Sequence, residues 1–148
     1  MKEVKEVIET IDITPDASLF PKLGRAGYSL PDALSELIDN SIDARGDSVD
    51  IDVNIDRKNE RIIISDNASG MNKEQAINSI ILGRSSKEEG NLGQFGLGLK
   101  TACMSLGSKF TVETTRRDSN EKYIIEFDEK KFVDAGVWNE FPIKTVQK

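Results

Sequence analysis

Three short motifs, which follow one another along the 148 residues, constrain the fold of this chain more than any other feature. Residues 36–44 read ELIDNSIDA, residues 66–71 read DNASGM, and residues 93–100 read GQFGLGLK. The first supplies carboxylates and an amide on a predicted helix, the second a carboxylate at the end of an apolar strand. The third is a glycine-rich loop that leads into another helix. A fold that brings the three together would present polar groups from separate elements at one place.

Composition is that of a soluble protein with one domain, which we expect to cover residues 1–148. This length can bury one core, and 37% of the residues are hydrophobic against 31% charged. Residues 1–10 alternate lysine and glutamate without an apolar signal-peptide core. No apolar run approaches the roughly 20 residues that a spanning helix needs. We expect a cytoplasmic protein, nuclear if the source is eukaryotic, that does not contact membranes.

The titratable residues limit the kinds of catalysis and metal binding that the chain can support. The chain has no histidine, which excludes histidine-based triads and the usual zinc sites. Its single cysteine, Cys103, cannot form an internal disulfide, and its apolar neighbours favour core packing over a reactive thiol. A net charge of −6 argues against strong nucleic-acid binding, although Arg116 and Arg117 form a small basic pair. Acid–base chemistry is left to carboxylates or lysine.

Hydrophobic periodicity predicts an α+β fold, because helices and strands mix without regular βαβ alternation. Ser29 can cap the first helix, and Pro31 suits its first turn. The predicted helices are residues 29–44, 71–82 and about 97–106. The predicted strands are residues 49–55, 61–65, 109–115 and 122–127, which form two hairpins.

The first motif gives its helix one apolar and one polar face. A rotation of about 100° per residue separates the apolar residues Leu34, Leu37, Ile38 and Ile42 from the polar residues Glu36, Asp39, Asn40 and Asp43. At i, i+4 spacing, the Asn40 amide can hold a hard cation while the Glu36 carboxylate orients a water. A solvated acidic face is the alternative interpretation.

The second motif begins with Asp66, directly after residues 62–64, which predict a buried strand. A partly buried carboxylate there can accept a hydrogen bond from an exocyclic amino group such as that of adenine. The small residues 68–70 leave room for a base, and Met71 can pack on its ring. A simple turn aspartate is the alternative.

The third motif has glycines at positions 90, 93, 96 and 98 before a helix. Glycines permit close backbone approach, and amides at a helix N-terminus favour phosphate oxygens. The spacing matches neither the Walker nor the Rossmann pattern. Lys100 can pair with a phosphate or extend its ammonium to solvent. A flexible loop is the alternative here.

In this order, the three motifs resemble those of the GHKL ATPases, the superfamily of gyrase B subunits, heat-shock chaperones, sensor histidine kinases and MutL proteins. Residues 36–44 match its N-box, residues 66–71 its first glycine box and residues 93–100 its second. The Asp43-Ala44 pair and residues 85–87 are most similar to the gyrase, MutL and MORC side. The resemblance implies a Bergerat-type two-layer sandwich: a mixed, mostly antiparallel sheet with helices on one face.

The resemblance also implies Mg²⁺-dependent ATP binding with slow hydrolysis. Glu36 would activate water, Asn40 would bind Mg²⁺, and Asp66 would bind adenine, while residues 83–98 would form the ATP lid. The residues implied to contact the nucleotide are Asn40, Asp43, Asp66, Ala68, Gly70, Met71, Ser86, Lys87, Gly93, Gln94, Phe95, Gly96, Leu97, Gly98 and Lys100.

Two departures from the family pattern affect these expectations. Ala68 replaces a usual glycine, so the backbone there must suit alanine. The chain ends at Lys148, which we expect to lie before the family strand with a Gly-Thr pair, so the sheet is expected to lack its last strand. The family's following transducer domain, which supplies a catalytic lysine or arginine, has no counterpart here. We therefore expect a fragment of a larger ATPase that is weak or inactive alone.

In the family, ATP closes the lid and drives dimerisation through an N-terminal segment, for which residues 1–21, within the N-terminal segment 1–28 of this chain, are the candidate. The expected role is therefore a nucleotide-driven conformational switch with an ATP-dependent homodimer. Two alternatives remain open: a protein phosphotransferase of the histidine-kinase or anti-sigma type, and an interaction module that binds nucleotide without catalysis. Transfer of labelled phosphate to a partner would distinguish the first, and the intact Glu36, Asn40 and Asp66 argue against the second.

Overall fold

Helices and strands alternate without a regular repeat along the chain. The structure is a computed structural model, and it describes residues 10, 12, 14–25, 28–81, 98–137 and 141–148. The order is α1 (Leu19–Arg25), α2 (Leu30–Asp43), β1 (Val49–Asn54), β2 (Arg61–Asp66), α3 (Lys73–Ile80), α4 (Gly98–Leu106), β3 (Lys109–Thr114), β4 (Glu121–Asp128), α5 (Glu129–Ala135) and β5 (Ile143–Gln147). The α+β prediction is confirmed, and each predicted element is found to within about two residues. The sequence did not predict α1, α5 and β5.

Side-chain caps fix where α2 begins, as the sequence predicted. The Ser29 hydroxyl accepts from the Asp32 amide at 3.3 Å, and the Asp32 carboxylate accepts from the Ser29 amide at 3.2 Å. This capping box satisfies amide donors that the first helical turn leaves unpaired. At the other end, Arg45 adopts a left-handed backbone conformation, with φ of 62°, that turns the chain away from the helix. The polar face of α2 is therefore held at a defined position.

The described strands form two antiparallel sheets. In the first, β1 pairs with β2 from Val49↔Asp66 to Asn54↔Arg61. In the second, β4 lies between β3 and β5. The resemblance implied one mixed sheet, but among the described residues β2 and β3 are not joined by a ladder. The two sheets meet instead through the segments that follow β2 and β3.

The core lies between the three-stranded sheet and the helices. Tyr123, Ile125 and Phe127 all point from one face of β4 because side chains alternate along a strand. Tyr123 and Ile125 pack against α3, and Phe127 packs against Phe20 of α1 and against α4. Helices therefore cover one face of this sheet, which confirms the predicted two-layer arrangement. Among the described residues, no helix has the length and apolarity to cross a bilayer.

The burial predicted for the hairpin and for α2 is partly wrong. Ile63 is 42% exposed and its neighbours Ile62 and Ile64 are only half-buried, although residues 62–64 predicted a buried strand. Most of β1, predicted to be half-buried, is exposed. On α2, Ile42 is 59% exposed, whereas Ala33 and Ser41 are buried. Residues 62–64 line a broad cleft, which leaves their apolar side chains partly uncovered.

Candidate functional site

One cleft, with a volume of about 2530 Å³, collects residues from all three sequence motifs. It is lined by α2, by β2 with the segment that follows it and by the start of α4, and it extends along β1, β3, β4 and α5. The predicted site residues that line it are Glu36, Asn40, Asp43, Asp66, Ala68, Gly70, Met71, Gly98 and Lys100. The others, Ser86, Lys87, Gly93, Gln94, Phe95, Gly96 and Leu97, lie outside the described residues, as does the predicted lid up to residue 97.

The carboxylate of Glu36 lies against the first residue of α4. A Cβ atom built on Gly98 would be 2.6 Å from Glu36 Cδ and closer still to Oε1, so the absent side chain leaves room for the carboxylate. The amides of a first helical turn carry partial positive charge, which favours an anion there. The cleft therefore holds a carboxylate, which can accept a proton, directly beside amide donors, which can bind an anion.

Asp66 lies at the cleft-facing end of β2 with both carboxylate oxygens engaged. Oδ2 accepts from the Ser41 hydroxyl at 2.8 Å, and Oδ1 accepts from the Ala68 amide at 3.0 Å. Asp66 was predicted to be partly buried, but it is exposed, because the cleft in front of it is open. Ser41 was not among the predicted site residues. A small polar residue inside the first motif, on the buried side of α2, was the available signal.

Asn40 and Asp43 project from α2 into the same cleft as Glu36. Asn40 is half-buried and Asp43, the last residue of the helix, is exposed. Mg²⁺ takes oxygen ligands and commonly keeps several waters, so one or two protein oxygens beside a phosphate suffice. The Asn40 side-chain oxygen is of the right chemical type, and its position one helical turn from Glu36 fits a cation site.

Position 70 accommodates only glycine, whereas the backbone at position 68 also suits alanine. Gly70 has φ of 68°, and a Cβ there would lie 2.6 Å from the Thr115 carbonyl carbon. Among the described residues, Arg45 is the one non-glycine with positive φ, so Ala68 keeps a conformation that alanine tolerates. The substitution of the family's usual glycine is therefore compatible with this backbone. Met71 lines the cleft and also packs against the core around Ile80.

Lys100 is 1% exposed, so its ammonium does not reach solvent, contrary to one of the two predicted alternatives. Its Nζ donates to the Ser79 carbonyl at 3.1 Å, in the last turn of α3. Burial lowers the lysine pKa from 10.5 to about 8. Burial also raises the pKa of the half-buried Cys103 thiol to about 12, which agrees with the predicted packing role and not with a reactive thiolate.

The α+β fold and the cleft shared by the three motifs define a domain of the GHKL ATPase class. The chain belongs to the family described as "Histidine kinase-, DNA gyrase B-, and HSP90-like ATPase", whose family model matches residues 28–148. This match confirms the family resemblance inferred from the motifs.

Comparison with individual proteins points to the same class. Human "ATPase MORC2" is 34% identical over 122 residues, which cover 72% of this chain and 12% of that protein. Arabidopsis thaliana "Protein MICRORCHIDIA 4" is 37% identical over 87 residues, 54% of this chain and 11% of that protein. "Chaperone protein HtpG" of Rickettsia typhi is 34% identical over 90 residues, 51% of this chain and 14% of that protein. The chain thus spans only a small part of the length of each.

Proposed function

We propose that this chain binds ATP together with Mg²⁺ in the cleft and hydrolyses it slowly. The observation that carries the proposal is the convergence of Glu36 and Asn40 of α2, Asp66 of β2 and Gly98 of α4 on one cleft. The three elements that carry these residues are far apart along the chain, and each residue has the chemistry that one part of a nucleotide requires. The family match supports the same conclusion.

Asp66 is proposed to bind the adenine base. Its carboxylate has two donors, Ser41 and the Ala68 amide, which hold it in place and leave further lone pairs to accept from an amino group. A base that lacks an amino group could not donate this hydrogen bond to the Asp66 carboxylate. The loss of a hydrogen bond to a charged group costs about 1.5–3 kcal/mol, so Asp66 provides base selectivity.

The start of α4 is proposed to face the phosphates, with Asn40 as a protein ligand to Mg²⁺. First-turn amides bind phosphate oxygens through their unpaired N–H groups and the helix dipole. Bound Mg²⁺ would supply neutralisation of phosphate charge. The contact of Lys100 with a phosphate stays a prediction, because its ammonium here binds the Ser79 carbonyl.

Glu36 is proposed to act as the general base. Its carboxylate lies beside Gly98, where the phosphates are expected, and can accept a proton from an attacking water. Gly98 keeps that position open, since any side chain would displace the carboxylate. In-line attack by water on phosphate needs positioning more than covalent chemistry, which suits a single carboxylate.

We further propose that ATP acts here as a switch that favours homodimerisation. The support is the family membership and the likeness to proteins named as MORC ATPases and HtpG chaperones, of which this chain spans a small part. Sedimentation of the protein with and without a non-hydrolysable ATP analogue tests it. A mass that stays monomeric with saturating analogue would contradict the dimer.

Calorimetric titration with a non-hydrolysable ATP analogue tests the binding proposal. We expect binding that weakens when Mg²⁺ is omitted and falls at least tenfold in Asp66→Asn, because the amide presents a donor where the base needs an acceptor. Asp52→Asn is the matched control, since Asp52 is exposed in β1 of the same hairpin and lies on the opposite face of the ladder from Asp66. Equal affinities of all three proteins would refute the assignment of Asp66.

A further inference from the structure

The segment that follows Asp66 joins the two sheets. Residues 67–71, here termed the Asp66 loop, leave β2 and enter the turn before α3. The amide of Ala68 in this loop donates to Asp66 Oδ1 at 3.0 Å. Any displacement of the loop therefore changes the position of the carboxylate that we propose as the adenine-binding group.

One side of the Asp66 loop is tied to α2 and to the start of β1. The Ser69 amide donates to the Ala44 carbonyl at 3.0 Å. The Asn67 side-chain oxygen accepts from the amides of Asp47 and Ser48 at 3.0 and 3.1 Å. These bonds are local to the first sheet and to the end of α2, so they cannot fix the loop relative to the second sheet.

The other side of the loop is held by residues at and just beyond the end of β3. The Met71 amide donates to Thr114 Oγ1 at 2.9 Å, and the Arg117 guanidinium donates to the Asn67 carbonyl. Between them, Gly70 lies so close to the Thr115 carbonyl that no side chain fits. Each of these hydrogen bonds joins the loop to a residue more than 40 positions away in sequence.

We propose that Arg117 and Thr114 are positioning residues for adenine recognition: they anchor the Asp66 loop to the second sheet and thereby fix the Asp66 carboxylate for the base amino group. The inference rests on the proposed function and adds two residues that do not themselves contact the base. Asp66 is exposed, so its hydrogen-bond partners, rather than packing, must hold it in place. Loss of an anchor should therefore reduce base selectivity more than phosphate affinity.

The test compares the affinities of the chain for ADP and IDP, which carry an amino group and an oxygen, respectively, at position 6 of the base. We expect the unsubstituted chain to prefer ADP and Arg117→Ala to lower that preference about fivefold, the usual factor for one hydrogen bond. Arg116→Ala is the matched control, because the adjacent Arg116 is equally charged and exposed but pairs with Asp118. It should keep the preference.

Two further variants separate positioning from general destabilisation. Thr114→Val removes the acceptor for the Met71 amide without changing the shape of the side chain, and should also lower the preference. Arg117→Lys keeps a cationic donor and should restore part of it. A purely structural effect would weaken ADP and IDP binding by the same factor.

The outcomes distinguish this inference from the proposed function. A chain that binds neither diphosphate would overturn the proposed function and the inference with it. A chain that prefers ADP, with the preference unchanged in both Arg117→Ala and Thr114→Val, would overturn only the inference. A lowered preference in both variants, unchanged in Arg116→Ala, would support it.

Discussion

Replacement of Lys100 by methionine should make the chain more stable at neutral pH and should remove part of its pH dependence. Lys100 is a charged group held in the interior, with 1% of its surface exposed. Its partner is a neutral carbonyl, that of Ser79, at 3.1 Å. Methionine has a similar length and shape and carries no charge that burial would penalise.

The magnitude follows from the pKa, which burial lowers from 10.5 to about 8. Below pH 8 this shift lowers the free energy of unfolding by about 3 kcal/mol. Between pH 8 and 10.5 the unfolded chain binds more protons than the folded one, so the penalty fades as the pH rises. Loss of the bond to Ser79 offsets about 1–2 kcal/mol of the gain from methionine. We expect a net gain of about 1–2 kcal/mol at pH 7, smaller by about 1 kcal/mol at pH 9.

Urea unfolding at pH 7 and pH 9 measures both quantities. The comparison uses the unsubstituted chain, Lys100→Met and the control Lys58→Met, whose lysine lies exposed in the turn after β1. The half-buried Cys103 thiol, whose pKa is raised to about 12, also titrates differently on unfolding, but it is common to all three proteins, so its contribution cancels. Lys58→Met should follow the unsubstituted chain at both pH values.

The result that would refute this reasoning is a constant difference in unfolding free energy between Lys100→Met and the unsubstituted chain at the two pH values. Lys100 would then have the same pKa folded and unfolded, and its ammonium would not be desolvated. A large destabilisation by methionine at both pH values would instead show that the bond to Ser79 outweighs the cost of burial.

Three further predictions concern the cleft and its supports. Glu36→Gln should lower phosphate release about 100-fold or more while calorimetry shows nearly unchanged binding of an ATP analogue; retained turnover would exclude Glu36 as the base. Gly98→Ala should displace the Glu36 carboxylate and so lower phosphate release, yet change the thermal midpoint little, because the group that must move is the end of a flexible side chain; unchanged release would contradict the close approach. Gly70→Ala should cost at least about 2 kcal/mol in urea unfolding, more than Gly136→Ala, because Gly136 has a similar φ of 64° with nothing within 4 Å of an added Cβ; equal costs would contradict the close contact with Thr115.

Local pattern predicted the elements that present the site. Ser29 and the periodicity after it gave α2 nearly residue for residue, and the apolar run before Asp66 gave β2. The elements that the sequence missed, α1, α5 and β5, have seven, seven and five residues. Elements this short offer little periodicity, and it is packing on the second sheet, through Phe20, Phe132 and Ile143, that decides their structure.

Local sequence pattern could not predict the contacts between segments that are distant along the chain. The partners of Lys100 and Arg117, the carbonyls of Ser79 and Asn67, are backbone groups that no side-chain motif marks. Periodicity could not predict the exposure of Ile42 either, because it shows which side chains are apolar but not whether another element covers them. The sequence could therefore predict residues that line the cleft but not the residues that hold them in place.

The most direct test of the central claim, that the cleft binds the nucleotide, is amide NMR of the isotopically labelled chain titrated with Mg²⁺ and ADP. The account predicts saturable shifts of the amides in residues 36–44, 66–71 and 98–100. The amides of β5, residues 143–147, do not line the cleft and should stay unchanged. Shifts confined to other residues, or none at saturating nucleotide, would contradict it.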